Sequence, residues 1–390
     1  MSPAHQPPGL PAPSADEEAV SGRLSARIAD EIRREGPLPF RRFMELALYA
    51  PGLGYYSAGK EKLGRGGDFT TAPEAYPVFG RCVARACAEV LAQLGGDGEI
   101  LEVGGGSGRL AATVLNELAA LDALPRAYCL LDVSASLRAR QAETIAAEAS
   151  DFSNRVRWLD QLPPQGFRGV VLANELLDAL PVDRFKVEAD GIRELRVTSG
   201  ENGFAWTEAP APPATQERIG PQRLAPGYES EIGFAAEAWV RSVAEILDSG
   251  VLLLIDYGFP RAEFYHPDRS AGTLMCHYRH RAHTDPLTLV GLQDITAHVD
   301  FTAIAEAGGE AGLDLLGYTS QAAFLLGAGI AQLAAASDPN DARAHLSLTA
   351  QIKKLTLPHE MGELYKVMAL GRGMKAPLST FAIQDRRGRL

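Results

Sequence analysis

Apolar positions recur along this chain with two different periods. From Ser21 the segment SGRLSARIADEIRREG places Leu24, Ile28 and Ile32 at helical spacing, and Gly36-Pro37 is a stop signal. FRRFMELALY continues as a short helix. A glycine-rich loop follows, and Pro73-Glu74 leads into a helix across VFGRCVARACAEVLAQLG. From residue 100 the period shortens: EILEV, AYCLLDV, RVRWL, GVVLANE and, much later, GVLLLIDYG are short apolar runs separated by amphipathic stretches. Strands alternating with helices predict a largely parallel sheet wrapped by helices on both faces. LDLLGYT and YKVMALGR add two more strands, making seven.

Two excursions break the rhythm. The stretch from Val182 through FKVEADGIRELRVTSGENGFAWTEAP alternates like hairpin strands, with Asp190-Gly191 as a turn signal. The stretch from Phe259 to about Gly291 is polar, aromatic and irregular. The expected organisation is a disordered Pro- and Ala-rich tail over 1–22, then a helical segment with a loop lid over 23–98. A main α/β domain follows over 99–378, with insertions at about 182–235 and 259–291, and then a tail over 379–390.

A formal charge of −11 argues against a nucleic-acid or anionic-membrane binder. The four cysteines show no CxxC spacing, which suits a reducing compartment, and no apolar run is long enough for a membrane span. With no presequence pattern at the start, the expected location is cytoplasmic.

The candidate chemistry begins at LEVGGGSG. A Walker loop requires GxxxxGK and does not occur. The dinucleotide fingerprint fails at its third glycine, where Arg109 stands. What remains is E-x-G-x-G-x-G, formed by Glu102, Gly104, Gly106 and Gly108, a pattern similar to motif I of Rossmann-like S-adenosylmethionine methyltransferases. Glycines let the backbone lie against a flexible cofactor, and Glu102 is placed to orient its amino-acid end. Asp132, at the end of the second strand, is placed for ribose hydroxyls with Ser134 beside it, and Asp160, after the third, for the adenine amine. At the fourth strand's end, Asn174 and Glu175 stand where the methyl group should arrive, Asn174 to contact either the methionine portion of the cofactor or the acceptor. Asp178 is expected one helical turn on, beside Glu175. The alternative reading makes Glu175 and Asp178 first-turn helix acids. Asp256 after the fifth strand is either a second acceptor carboxylate or a turn cap. Tyr55 and Tyr56 either line an acceptor channel or pack under a loop. His298 is a candidate base or a packed histidine. Cys276, His277, His280 and His283 do not match zinc spacing, and Arg279 and Arg281 crowd them with positive charge, so no metal is expected.

The words GLGYYS, GDFTTAPE, ILEVGGGSGRLA, DVSASLRARQ, ANELLDALPVDRF, IDYG, GTLMCHYRHRAH and DITAHVDF occur in this order. Together, over about residues 22–375, they resemble the MidA family, whose mitochondrial branch holds the complex I assembly factors of the NDUFAF7 type. The resemblance implies a class I Rossmann-like methyltransferase fold and S-adenosylmethionine as cofactor. It further implies arginine methylation of a protein substrate, a respiratory complex I subunit in the mitochondrial branch. It favours a cofactor lid at GRGGDFTTAPE that brings Gly67, Asp68 or Thr71 to the site, over a turn that merely starts the next helix. A small-molecule methyltransferase and a cofactor-binding assembly factor with little catalysis stay open as alternatives.

Overall fold

The computed structural model describes residues 10–58, 71–338 and 341–390. The chain divides into two compact units. One takes the described residues of Thr70–Leu177, Glu237–Pro260 and Phe301–Leu390; the other takes those of Met1–Phe69, Asp178–Ala236 and Arg261–Asp300.

The first of these is built on seven strands among the described residues: β1 (Glu99–Val103), β2 (Tyr128–Leu131), β3 (Val156–Leu159), β4 (Phe167–Asn174), β5 (Leu247–Phe259), β6 (Asp314–Ser320) and β7 (Tyr365–Arg372). Their spatial order is β6-β7-β5-β4-β1-β2-β3. The five from β5 to β3 pair in parallel, whereas β7 runs antiparallel to both β5 and β6. A parallel centre must be apolar on both faces. Accordingly Ile100, Leu101, Val171, Leu172, Leu252 and Leu254 are all buried.

Two strand-start glycines let the central ladder close. A Cβ on Gly169 (φ 149°) would lie 1.8 Å from the Glu99 carbonyl oxygen, and one on Gly250 (φ 139°) 1.8 Å from that of Gly169. No side chain fits there.

Helix Pro77–Gln93 buries Val78, Phe79, Cys82, Val83, Ala86, Cys87 and Val90 at three- and four-residue intervals. Its Gly80 packs directly on Thr113 of helix Arg109–Ala120. It therefore joins the sheet's core rather than the N-terminal helical piece in which the sequence placed it. The C-terminal residues also differ from the expected tail, because Phe381 is buried against Phe324, with ring centroids 5.8 Å apart.

In the other unit, the first helix runs Ala15–Glu35, starting six residues before Ser21 and inside the expected disordered tail. The reason is local: Ser14 and Glu17 form a reciprocal capping box. Strand Gly191–Gly200 pairs antiparallel with Asp183–Glu188 and Gly203–Pro210, the hairpin array that the alternation predicts. Phe40 lies 5.2 Å from Trp206 and Phe43 5.5 Å from Phe204, so the N-terminal helices and the hairpin share one core. No helix among the described residues is long and apolar enough to cross a membrane.

Candidate functional site

β1 runs into the glycine turn at its carboxyl end. Gly104, Gly106 and Gly108 have φ of 72°, 53° and 86°. Such torsions are costly for any residue with a Cβ. At Gly108, which caps helix Arg109–Ala120, a Cβ would also approach Gln141 Cα to 3.0 Å. The turn is thus bare backbone by necessity.

Two buried carboxylates stand behind it. Glu102, on β1, is 3% exposed and accepts a 2.6 Å hydrogen bond from the Tyr128 hydroxyl. Burial pushes its pKa up to about 7; the Tyr128 bond opposes this and the nearby Asp132 charge adds to it. Asp132, just after β2, accepts from the Ser134 N–H (2.9 Å) and from Gln141 Nε2 (3.2 Å). Burial raises its pKa also, against the pull of those bonds and of Arg138. Gln141 Nε2 lies 3.1 Å from the Gly106 carbonyl, and Gln141 Oε1 accepts from Trp158 Nε1 at 3.1 Å. One glutamine therefore ties the glycine turn to the acid after β2 and to β3.

Ser134 caps helix Ala135–Glu148 through the Leu137 N–H. Between Asp132 and Ser134, Val133 is 77% exposed, an apolar face at the mouth of the turn. Asp160 has a side chain 91% exposed and pairs at 2.6 Å with Arg138, whose Nε donates to the Asp132 carbonyl at 2.8 Å. Thr71 precedes the short helix Ala72–Ala75 with no side-chain cap bond among the described residues. Gly67, Asp68 and the rest of the expected lid up to Thr70 lie outside the described residues.

At the end of β4 the backbone takes an unusual turn. Glu175 has φ 50°, in the left-handed region that a glutamate rarely occupies. Its N–H donates to the Ile255 carbonyl at 2.9 Å. Its carboxylate accepts from Tyr365 Oη at 3.0 Å and from Asn174 Nδ2 at 3.3 Å. Tyr365 rests edge-on against Tyr257, with centroids 5.6 Å apart. The left-handed torsion also corrects an expectation. Residues 175–180 form bends and turns instead of a helical turn, so Asp178 does not follow Glu175 on a helix face. Asp178 belongs to the other unit, where its carbonyl accepts from Ala297 N–H at 3.0 Å. Buried Asp256 accepts from the Leu177 and Tyr257 N–H groups, each at 2.9 Å, as a turn-holding carboxylate does.

Other candidates from the sequence fall in the second unit. Buried Tyr55 packs edge-on against Tyr56, whose hydroxyl donates to Asp294 at 2.8 Å. The His298 N–H donates to Thr273 Oγ1 at 3.0 Å. CHYRHRAH forms a tight hairpin, with Arg279 and His280 both left-handed at its tip. Among the described residues no group of three or more His, Cys, Asp or Glu is arranged to hold a metal.

Comparison with known proteins decides the family. The model of Methyltransf_28, whose description reads "Putative S-adenosyl-L-methionine-dependent methyltransferase", matches residues 82–319. The chain belongs to this methyltransferase family. A crystal structure of a COG1565 superfamily protein from Burkholderia thailandensis, bound to S-adenosyl-homocysteine, is 48% identical. It covers 98% of this chain and 100% of its own, with a TM-score of 0.95. The chain is also 26% identical to "Protein arginine methyltransferase NDUFAF7, mitochondrial" of Danio rerio, covering 92% of this chain and 89% of that protein. It is 28% identical to the Drosophila melanogaster NDUFAF7 homologue, covering 96% and 91%.

The cofactor of this methyltransferase is S-adenosylmethionine. The residues present suit such a molecule: a turn of three left-handed glycines that presents bare backbone, two buried carboxylates beside it, and an exposed apolar Val133. Several contributors were not singled out from sequence. Tyr128 and Trp158 read as strand residues, Gln141 and Arg138 as helix-face polar residues, and Tyr365 as a strand start. Their parts follow from strand register, such as Ile100 opposite Tyr128, which no local pattern announces.

Proposed function

We propose that this methyltransferase acts on arginine side chains of a protein. A respiratory complex I subunit is the acceptor that the family resemblance implies. The observation that carries the proposal is Glu175: a carboxylate at the carboxyl edge of β4, on a left-handed backbone, held by both Asn174 and Tyr365. The relatives named protein arginine methyltransferases support it at 26% and 28% identity over most of the chain.

In this reading Gly104, Gly106 and Gly108 cradle the cofactor, and Glu102 orients its amino-acid end. Asp132 and Ser134 take the ribose, Asp160 the adenine amine, and Thr71 approaches from the segment before helix Ala72–Ala75. Bound S-adenosylmethionine supplies a methyl group activated on a sulfonium.

The chain's own task is to present the nucleophile. A guanidinium is planar and always protonated, so its nitrogen lone pairs are delocalised. A carboxylate with a fixed plane accepts two parallel N–H bonds and draws positive charge away from the reacting nitrogen. Glu175 suits that requirement, because a hydrogen bond on each oxygen, from Asn174 Nδ2 and from Tyr365 Oη, fixes the plane of its carboxylate. Asn174 holds one oxygen, and Tyr365 the other. Glu175→Gln tests the proposal. It should bind S-adenosylhomocysteine as the parent does and lose methyl transfer to protein by about 100-fold; full retention of transfer would remove Glu175 from the chemistry.

A further inference from the structure

The glycine turn is gripped from two sides. On one, Gln141 bonds the Gly106 carbonyl and Asp132. On the other stands Glu74, from the short helix Ala72–Ala75 that ends the TTAPE motif. Its carboxylate accepts a hydrogen bond from Ser107, which is 2% exposed and sits between Gly106 and Gly108. Its carbonyl accepts from Arg109 Nη1 at 2.9 Å, and Arg109 Nη2 lies 3.3 Å from Glu148. Helix Arg109–Ala120 starts with no acidic residue in its first turn and no side-chain cap at Gly108 among the described residues. The carboxylate at that positive helix end is therefore brought in by Glu74, about 35 residues earlier.

We infer that Glu74 is a positioning residue for S-adenosylmethionine: through Ser107 it holds Gly106 and Gly108 in the left-handed form that receives the cofactor. The inference rests on the glycine turn being the cradle. The geometry favours this role over a merely structural one. The bond ends on the turn itself, at a buried hydroxyl flanked by two left-handed glycines. Loss of Glu74 leaves the buried Ser107 Oγ without this acceptor and the helix end without this charge. The turn then samples other conformations, and the cofactor has to select the competent one.

The test is calorimetric titration of the full-length chain with S-adenosylhomocysteine, alongside thermal unfolding without ligand. Glu74→Ala should weaken binding about tenfold or more, the scale of a hydrogen bond to a charged group. Glu74→Gln keeps an acceptor oxygen for Ser107 and should restore most of the affinity. Ser107→Ala removes the same bond from the other end and carries the test if Glu74→Ala does not fold. The double variant should bind no worse than the weaker single one. Parent-like affinity in Glu74→Ala and Ser107→Ala, or losses that add in the double variant, would overturn the inference. So would a lowered unfolding midpoint with unchanged affinity. Gly106→Val separates the two levels. If it still binds, the cradle reading fails; if it does not bind while Glu74→Ala binds as tightly as the parent, only the role of Glu74 fails.

Discussion

Replacing Glu102 by glutamine should stabilise the unliganded protein at pH 8 and destabilise it at pH 5. Glu102 is enclosed by the sheet, with its carboxylate against the Tyr128 hydroxyl at 2.6 Å. Burial lifts its pKa from 4.5 to about 7. Between those values the folded chain keeps a proton that the unfolded chain has released. Stability from this residue therefore declines as pH rises through that window, then levels off above about 7. The full decline corresponds to about 3 kcal/mol at 1.36 kcal/mol per pH unit. Glutamine has nearly the same volume, offers a carbonyl oxygen to Tyr128, and is never ionised. Its amide N–H₂ must also be seated, at a cost of about 1–2 kcal/mol. The net expectation is a gain of about 1–2 kcal/mol at pH 8 and a loss of about 1 kcal/mol or less at pH 5, where the folded chain keeps Glu102 neutral and the unfolded chain has begun to ionise it. Urea unfolding of both proteins at the two pH values gives the difference directly, and titrating groups remote from Glu102 cancel between them. A stability difference that does not change with pH would refute the reasoning, since it would mean that Glu102 does not titrate in this window.

Other outcomes follow from the same geometry. Tyr365→Phe deletes the hydroxyl that holds Glu175 and should lower methyl transfer about 10- to 100-fold, with unchanged titration of S-adenosylhomocysteine. Gly169→Ala would put a Cβ 1.8 Å from the Glu99 carbonyl and should prevent folding, seen as loss of a cooperative unfolding transition. Phe381→Ala should cost about 3–5 kcal/mol in urea unfolding, because this ring near the chain end lies in the core; a change under about 1 kcal/mol would return the segment to the status of a tail.

The sheet was legible because a parallel centre needs continuous apolar runs, and EILEV, CLL and GVVLAN are such runs. The reversal of β7 was not, since YKVMALGR is apolar on both faces in either direction. The grouping of the second unit was also hidden. Phe40 and Phe43 must find Trp206 and Phe204 across more than 160 residues, a pairing that no local period encodes. At the site, the glycine spacing announced a bare turn, and the structure gives three of its glycines left-handed torsions. What holds the turn could not be read. Gln141 and Glu74 reach it from separate helices, and each resembles an ordinary polar surface residue in sequence. Asp178 shows the opposite failure. Helical spacing was projected onto a segment whose first residue, Glu175, takes a torsion that ends the regularity.

The central claim is that Glu175 presents a protein arginine for methylation. The most direct measurement uses the purified chain, S-adenosylmethionine with an isotopically labelled methyl group, and a protein extract from cells that lack this enzyme, with Glu175→Gln in parallel. After complete hydrolysis, mass spectrometry identifies the labelled residue. Labelled methylarginine with the parent, and its absence with Glu175→Gln, is the predicted result. Label confined to small molecules or to another amino acid, or methylarginine at equal yield with Glu175→Gln, would contradict it.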